Sequence, residues 1–293
     1  MEIELVLDAH ATIGESITWA ATEGALYWID VKAPALYRFD PASGAQRRWG
    51  LPSDVGAFAL TPGGAVVALR EGMSELEFEG GAVTRLAAAP FDPALFRFNE
   101  GACDSAGRFW VGVMFDPLDP RETQKEPGLL HSFTRAGGLV RQPDVAELHN
   151  GMAWSVDGRL FYLSHSNQQE VFAYAFDVGR GRVGERRRFV QVPERLGLPD
   201  GAAVDAEGGY WCALHGGGRL HRYTAEGKLD REVMLPVSQP TMCAFGGAAL
   251  DVMYVTSASD KLSAEQLRAE PHAGGIFRFR PGVRGLERHC FVG

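Results

Sequence analysis

The chain has 293 residues, 45% hydrophobic and 23% charged, a globular composition that excludes wholesale disorder and a length that predicts either two domains or one large repetitive fold. Lys and Arg number 29 against 37 Asp and Glu, a net charge of −8, with no basic cluster denser than Arg186-Arg187-Arg188; a nucleic-acid partner is not expected, because phosphate neutralisation needs a concentrated cationic face. No apolar run reaches the roughly 20 residues that span a bilayer, and the opening MEIELVLDAHATIGES has no basic and apolar leader pattern, so a cytoplasmic protein without membrane contact is predicted.

Taken in chain order, the predicted elements are short strands that recur. The first pair is Tyr27-Trp28-Ile29-Asp30 and Leu36-Tyr37-Arg38-Phe39. A weaker copy follows in residues 55–81, through Val66-Val67-Ala68-Leu69 and Leu76-Glu77-Phe78. Phe109-Trp110-Val111-Gly112 and Leu130-His131-Ser132-Phe133 form the third pair, with the charged insertion 119–126 between them as a solvated loop or a lid. Phe161-Tyr162-Leu163-Ser164 and Val171-Phe172-Ala173-Tyr174 come next, then Tyr210-Trp211-Cys212-Ala213 and Leu220-His221-Arg222-Tyr223, and last Met253-Tyr254-Val255-Thr256 and Ile276-Phe277-Arg278-Phe279. Each run is aromatic and β-branched, hence a strand. A small-residue strand ending in a glycine turn precedes the runs, as in Ala153–Gly158 and Ala203–Gly208. Helical periodicity is confined to 263–268, at most one short surface turn.

Six copies in this length give about 49 residues each, the period of propeller blades. The expected fold is therefore all-β, a six-bladed β-propeller with four-stranded antiparallel blades around a central channel, in a single domain over 1–293. A two-sheet sandwich does not explain the repeated strand order. The cysteines, Cys103, Cys212, Cys243 and Cys290, contain no C-x-x-C pair and read as small core residues rather than a disulfide or zinc framework.

The innermost strands of a propeller line its channel, so one repeat position forms a ring about the axis. Counting four residues back from Trp19, Leu60, Cys103, Trp154, Val204 and Phe245 gives Glu15, Gly56, Asn99, Asn150, Asp200 and Thr241. Four of these carry carboxylate or carboxamide oxygens, the donors of a hard divalent cation. Each adjoins or lies near a glycine, and a single Asn-Gly or Asp-Gly reads as a turn former; four in one register favour the ring.

With these residues in view the chain resembles the SMP-30/gluconolactonase/regucalcin family, six-bladed propellers that hydrolyse sugar lactones with a divalent metal. The likeness runs from Gly14-Glu15-Ser16 to Gly274-Gly275-Ile276-Phe277. It is carried by Arg97-Phe98-Asn99-Glu100-Gly101, Asp104–Trp110, Asn150–Ser155, Pro199-Asp200-Gly201, Val204–Gly208 and Cys243–Gly247. The resemblance implies one divalent metal, drawn from Ca, Mg, Mn, Zn or Fe, held by Glu15, Asn150 and Asp200, with Arg97 and Asn99 binding substrate and Asn99 near the metal. Glu100, where the family usually has Asp, is a further substrate-binding candidate. A family acidic residue falls near Asp116-Pro117, and His165 stands where relatives commonly have Asp.

A lactone resists water because its tetrahedral intermediate carries an oxyanion and water is a weak nucleophile. Asp200 is the candidate general base, taking the water proton and returning it to the leaving alkoxide; the alternative makes it a ligand only. Arg97 and Asn99 would orient sugar hydroxyls, or Arg97 would form a rim salt bridge. Neither G-x-S-x-G nor H-E-x-x-H occurs. His149 and His215 adjoin the ring or a glycine turn and are candidates for the channel mouth. A lactonase acting on a small sugar lactone without an obligate protein partner is the leading expectation. A metal-dependent phosphotriesterase-like hydrolase and a non-catalytic ion-binding or scaffolding propeller are the alternatives.

Overall fold

Short aromatic runs separated by glycine turns have no helical stripe to bury, so they pair locally as antiparallel meanders. The computed structural model, which describes residues 2–293, arranges them as six four-stranded antiparallel sheets. Blade I holds Gly14–Ala20, Ala25–Asp30, Ala35–Phe39 and Gln46–Gly50. Blade II, the weak copy of the sequence, is complete: Val55–Thr61, Gly64–Leu69, Gly72–Glu77 and Val83–Ala88. Blade III runs Phe96–Cys103, Phe109–Phe115, Gly128–Thr134 and Gly138–Ala146. Blade IV runs His149–Trp154, Leu160–His165, Glu170–Asp177 and Arg182–Gln191. Blade V comprises Leu198–Val204, Tyr210–His215, Arg219–Tyr223 and Leu229–Met234.

Blade VI is composite. Pro240–Gly246, Val252–Ser257 and Ile276–Phe279 supply three strands, and Glu4–Leu7 from the other end of the chain supplies the outermost one. Leu5 pairs with Phe277, and the six inner strands pack successively into a closed ring. The predicted helical turn is Ala264–Ala269, with Ser263 and Gln266 forming a reciprocal capping box. No helix among the described residues is long and apolar enough to cross a membrane.

Each blade buries both faces against its neighbours, which is why the second strands read as nearly unbroken apolar runs. All six residues of Ala25–Asp30 are buried. Tyr27 and Trp49 of blade I pack with Phe58 and Val67 of blade II, and Tyr162 and Val190 of blade IV with Val204 and Tyr210 of blade V. The turns below the inner strands carry buried carboxylates: Asp104 accepts from Trp110 Nε1 at 2.9 Å and Arg108 Nε at 2.8 Å, and Asp205 from Trp211 Nε1 at 2.8 Å and Arg222 Nε at 2.7 Å. In blades III and V these ties fix the inner strand to its second strand. Cys103, Cys212 and Cys243 are buried as expected, but Cys290 is exposed, because residues 281–293 run over the lower surface rather than through the core.

Candidate functional site

Pairing between the inner and second strand is interrupted at or beside every ring position. The breaks lie between Glu15 and Thr18, Val55 and Ala57, Phe98 and Gly101, Asn150 and Ala153, Pro199 and Ala202, and Pro240 and Cys243. A bulge frees a residue from the ladder and re-aims its side chain. Gly151 shows how tightly this is built: its φ is +61°, and a Cβ there would meet Ser164 Oγ and Tyr210 OH at 2.3 Å. Ser16 takes the same left-handed conformation, with φ of 55°, without being glycine, a strained backbone beside Glu15.

The two ring positions without acid or amide have structural reasons. A Cβ on Gly56 would lie 2.2 Å from Phe98 O, so blades II and III can approach only if that position is bare. Thr241 turns its hydroxyl to Gly14 O and to Thr256 Oγ1, joining blade VI to blade I.

Of the remaining four, Asn99 and Asn150 share one hydrogen-bonded network, and Glu15 and Asp200 feel each other's field. Glu15, Asn150 and Asp200 are buried, as are Arg97 and Glu100, while Asn99 is half-buried. Asn99 Nδ2 donates to Asn150 Oδ1 at 2.8 Å and to His149 O at 3.1 Å, and its own oxygen accepts from Arg97 Nη1 at 2.9 Å. Asn150 Nδ2 donates to Ser166 Oγ at 2.9 Å, which donates in turn to Pro199 O at 2.7 Å. This chain links blades III, IV and V and orients the Asn150 amide by its partners, nitrogen towards Ser166 and oxygen towards Asn99.

Arg97 Nε is held by Asp116 Oδ2 at 2.8 Å, and that oxygen also accepts from Lys32 at 2.6 Å and Arg70 at 2.9 Å. Burial alone would raise Asp116, but Arg97 and Lys32 outweigh it and hold the carboxyl down at about 2. The insertion after Phe115 thus begins with a residue that clamps the arginine of the site. Glu100 faces elsewhere: its oxygens accept from Gly151 N at 2.5 Å and Met152 N at 2.7 Å. That geometry makes it a brace between blades III and IV, with both oxygens committed to backbone.

Burial, reinforced by the field of Glu100, raises Glu15 above its ordinary range; burial followed by the fields of Glu15 and Glu100 raises Asp200. Burial also pushes Glu100 up to about 7, against the two backbone N–H groups and Arg288. Buried carboxylates crowded in this way favour any added positive charge. The donors are all oxygens, two of them carboxylates, a set that fits a hard divalent cation.

A second cluster could hold a metal by proximity alone: ligand atoms of Asp144, His149 and His165 lie within 4.8 Å of one another. Asp144 Oδ1 accepts from His149 Nε2 at 3.0 Å and His165 Nε2 at 2.8 Å, and its other oxygen is engaged by Tyr174 and, at 3.5 Å, by Arg186. A metal on His149 Nε2 would require a proton on Nδ1, which is buried without a partner; ligating histidines normally donate that second N–H. The hydrogen-bonded form satisfies this cluster better.

His149 and His165 therefore lie buried between blades III and IV rather than at the mouth, and His215 is half-buried at the end of its strand. Sequence reasoning missed Ser166, Lys32, Arg70 and Arg288. Ser166, Arg70 and Lys32 had a signal, since each stands at or just past the end of its blade's second strand; Arg288 comes from a segment with no counterpart in the repeat.

The family model described as SMP-30/Gluconolactonase/LRE-like region matches residues 13–259. A 6-deoxy-6-sulfogluconolactonase from Pseudomonas putida is 36% identical, over 99% of this chain and 99% of its own length. Regucalcin from Gallus gallus is 34% identical over 100% of this chain and 99% of its own. The crystal structure of a calcium-binding regucalcin from Agrobacterium tumefaciens superposes with a TM-score of 0.90 at 24% identity, covering 98% of this chain and 96% of that one, and shares the fold.

Proposed function

Since the chain belongs to the SMP-30/gluconolactonase/LRE-like family, we propose that it opens a hydroxylated sugar lactone to the aldonic acid, using a divalent cation held by Glu15, Asn150 and Asp200. The observation that carries this reading is the placing of those three oxygen-bearing side chains at or beside the register breaks of one closed ring, with Asn99, held by Arg97, hydrogen-bonded to Asn150. The name of the Pseudomonas relative supports the lactonase chemistry, and that of the Agrobacterium protein the cation. On this reading residues 1–293 act as one domain, in the cytoplasm, on a free small-molecule substrate.

When bound, the cation would supply Lewis acidity to the carbonyl and lower the pKa of a water. The chain's own groups do the rest. Asp200 accepts a proton from the attacking water; as the C–O bond to the ring oxygen breaks, the same carboxyl returns the proton to the departing alkoxide. Arg97, its Nε fixed by Asp116 and its Nη1 by Phe98 O and Asn99, keeps Nη2 as a rigid donor to sugar hydroxyls, and Asn99, whose two N–H groups go to Asn150 and His149, presents its oxygen as an acceptor. The test is hydrolysis of a panel of aldonolactones by protein stripped of cations and then reloaded. Turnover that depends on the cation supports the reading, and an unreactive panel or a rate indifferent to chelation removes it.

Arg97 should set selectivity. A site built on hydrogen bonds rejects analogues that lack them, because buried polar groups are left unpaired. Arg97→Ala is expected to raise KM for a hydroxylated lactone by on the order of tenfold or more and to change an unsubstituted aliphatic lactone little. An equal loss of kcat/KM on both substrates would assign Arg97 to the fold or to the cation instead.

A further inference from the structure

Residues 281–293 form no regular strand, yet they are tied to five of the six blades. Pro281 O accepts from Arg231 Nη1 at 2.6 Å, and Gly285 N donates to Leu250 O at 2.8 Å, anchoring the segment at blades V and VI. At the far side Phe291 N donates to Leu60 O at 3.0 Å and Val292 N to Gly107 O at 3.2 Å, in blade II and the turn of blade III. The segment therefore crosses the mouth of the channel opposite the ring. Cavities of about 470 and 410 Å³ flank it, one reaching Trp154 and Phe245, the other Phe58 and Leu60.

Midway across, Arg288 turns into the channel. Its Nη1 donates to Ile17 O at 2.9 Å, on the strand of Glu15, and lies 3.5 Å from Thr18 Oγ1 and 3.8 Å from Met242 Sδ. These partners are uncharged, and a guanidinium drawn in from water needs opposing charge. The carboxylates whose field reaches it are Glu100 and Glu15. Arg97, the other cation of the channel, is already shared with Asp116.

We propose that Arg288 is the fixed counter-charge of the acidic ring, inserted from the opposite mouth. It offsets Glu15 and Glu100 while no cation is bound, and it weakens the ring's hold on a cation once one arrives. This rests on the cation lying at Glu15, Asn150 and Asp200.

The experiment is a calorimetric Ca²⁺ titration of the full chain, with Tm recorded cation-free and Ca²⁺-loaded, for wild type, Arg288→Gln and Arg288→Lys. Gln keeps a donor for Ile17 O and removes the charge; Lys keeps the charge. Arg288→Gln is expected to bind Ca²⁺ about tenfold tighter or more and to melt lower only when cation-free, while Arg288→Lys stays near wild type in both. Unchanged or weaker Ca²⁺ binding by Arg288→Gln, with both Tm values falling together, would reduce Arg288 to a pin for the segment and overturn the proposal. A Gln variant that folds only with Ca²⁺ supports it, and one that fails to fold even with Ca²⁺ overturns it. Glu15→Gln separates the two readings. If that variant binds Ca²⁺ as wild type does, the ring assignment falls; if it loses Ca²⁺ while Arg288→Gln binds unchanged, the ring stands and the counter-charge does not.

Discussion

Asp200→Asn is expected to lower kcat by a factor on the order of 10² or more, measured at saturating cation. The amide keeps an oxygen at the same bulge, so the position can still contribute a ligand atom. What it loses is the capacity to take a proton from water and give it to the alkoxide. Burial and the neighbouring Glu15 and Glu100 raise the Asp200 carboxyl above its ordinary range, which favours its taking up a proton. The raised acid is relieved when positive charge enters the ring, so the measurement belongs on the cation-loaded protein. Near-normal turnover at full occupancy would leave Asp200 as a ligand only.

Glu15→Gln should have two effects of opposite sign. Cation affinity should fall by about a hundredfold or more, since the charge count of an oxygen site sets its strength. The cation-free protein should become less sensitive to alkali. A carboxyl raised in the folded state holds its proton where the unfolded chain has released it, so stability is lost as pH rises from the ordinary carboxylate range through the raised value. Glu15 and Asp200 both contribute to that loss in the wild type. Removing one of them should flatten the fall in Tm between about pH 5 and about pH 8. Calorimetric titration reads the first effect and cation-free melting curves the second; unchanged cation affinity would take Glu15 out of the ring.

The blades were legible because burial on both faces forces the second and third strands to be aromatic and β-branched, a signal repeated in Tyr27–Asp30, Phe109–Gly112 and Tyr210–Ala213. The positions of Glu15, Asn99, Asn150 and Asp200 were legible for a related reason, since a closed ring puts equivalent residues at one height. The bulges were not, because they are a property of pairing between strands and leave no fixed residue type behind. Neither was the role of Glu100, whose carboxylate is defined by the N–H groups of Gly151 and Met152 on the next blade. The hub at Asp144 draws His149 and His165 from a different blade. Arg288 escaped because the segment carrying it lies outside the repeat, where no register predicts which way a side chain turns.

Placing Glu4–Leu7 at the edge of blade VI sets when the molecule can become native. The contact between Glu4 and Arg278 joins residues 274 apart, a loop whose closure entropy must be met before the pairing returns anything. Blades I to V are local meanders that can form as each leaves the ribosome, but blade VI stays incomplete until Ile276–Phe279 has emerged to pair with Glu4–Leu7. Until Pro240–Gly246 has been made, the inner edge of blade I, with Glu15 on it, lacks its neighbour in blade VI. The contact order is thus split, low within blades and very high at the seam, and completion of the native state is governed by one late event at the seam.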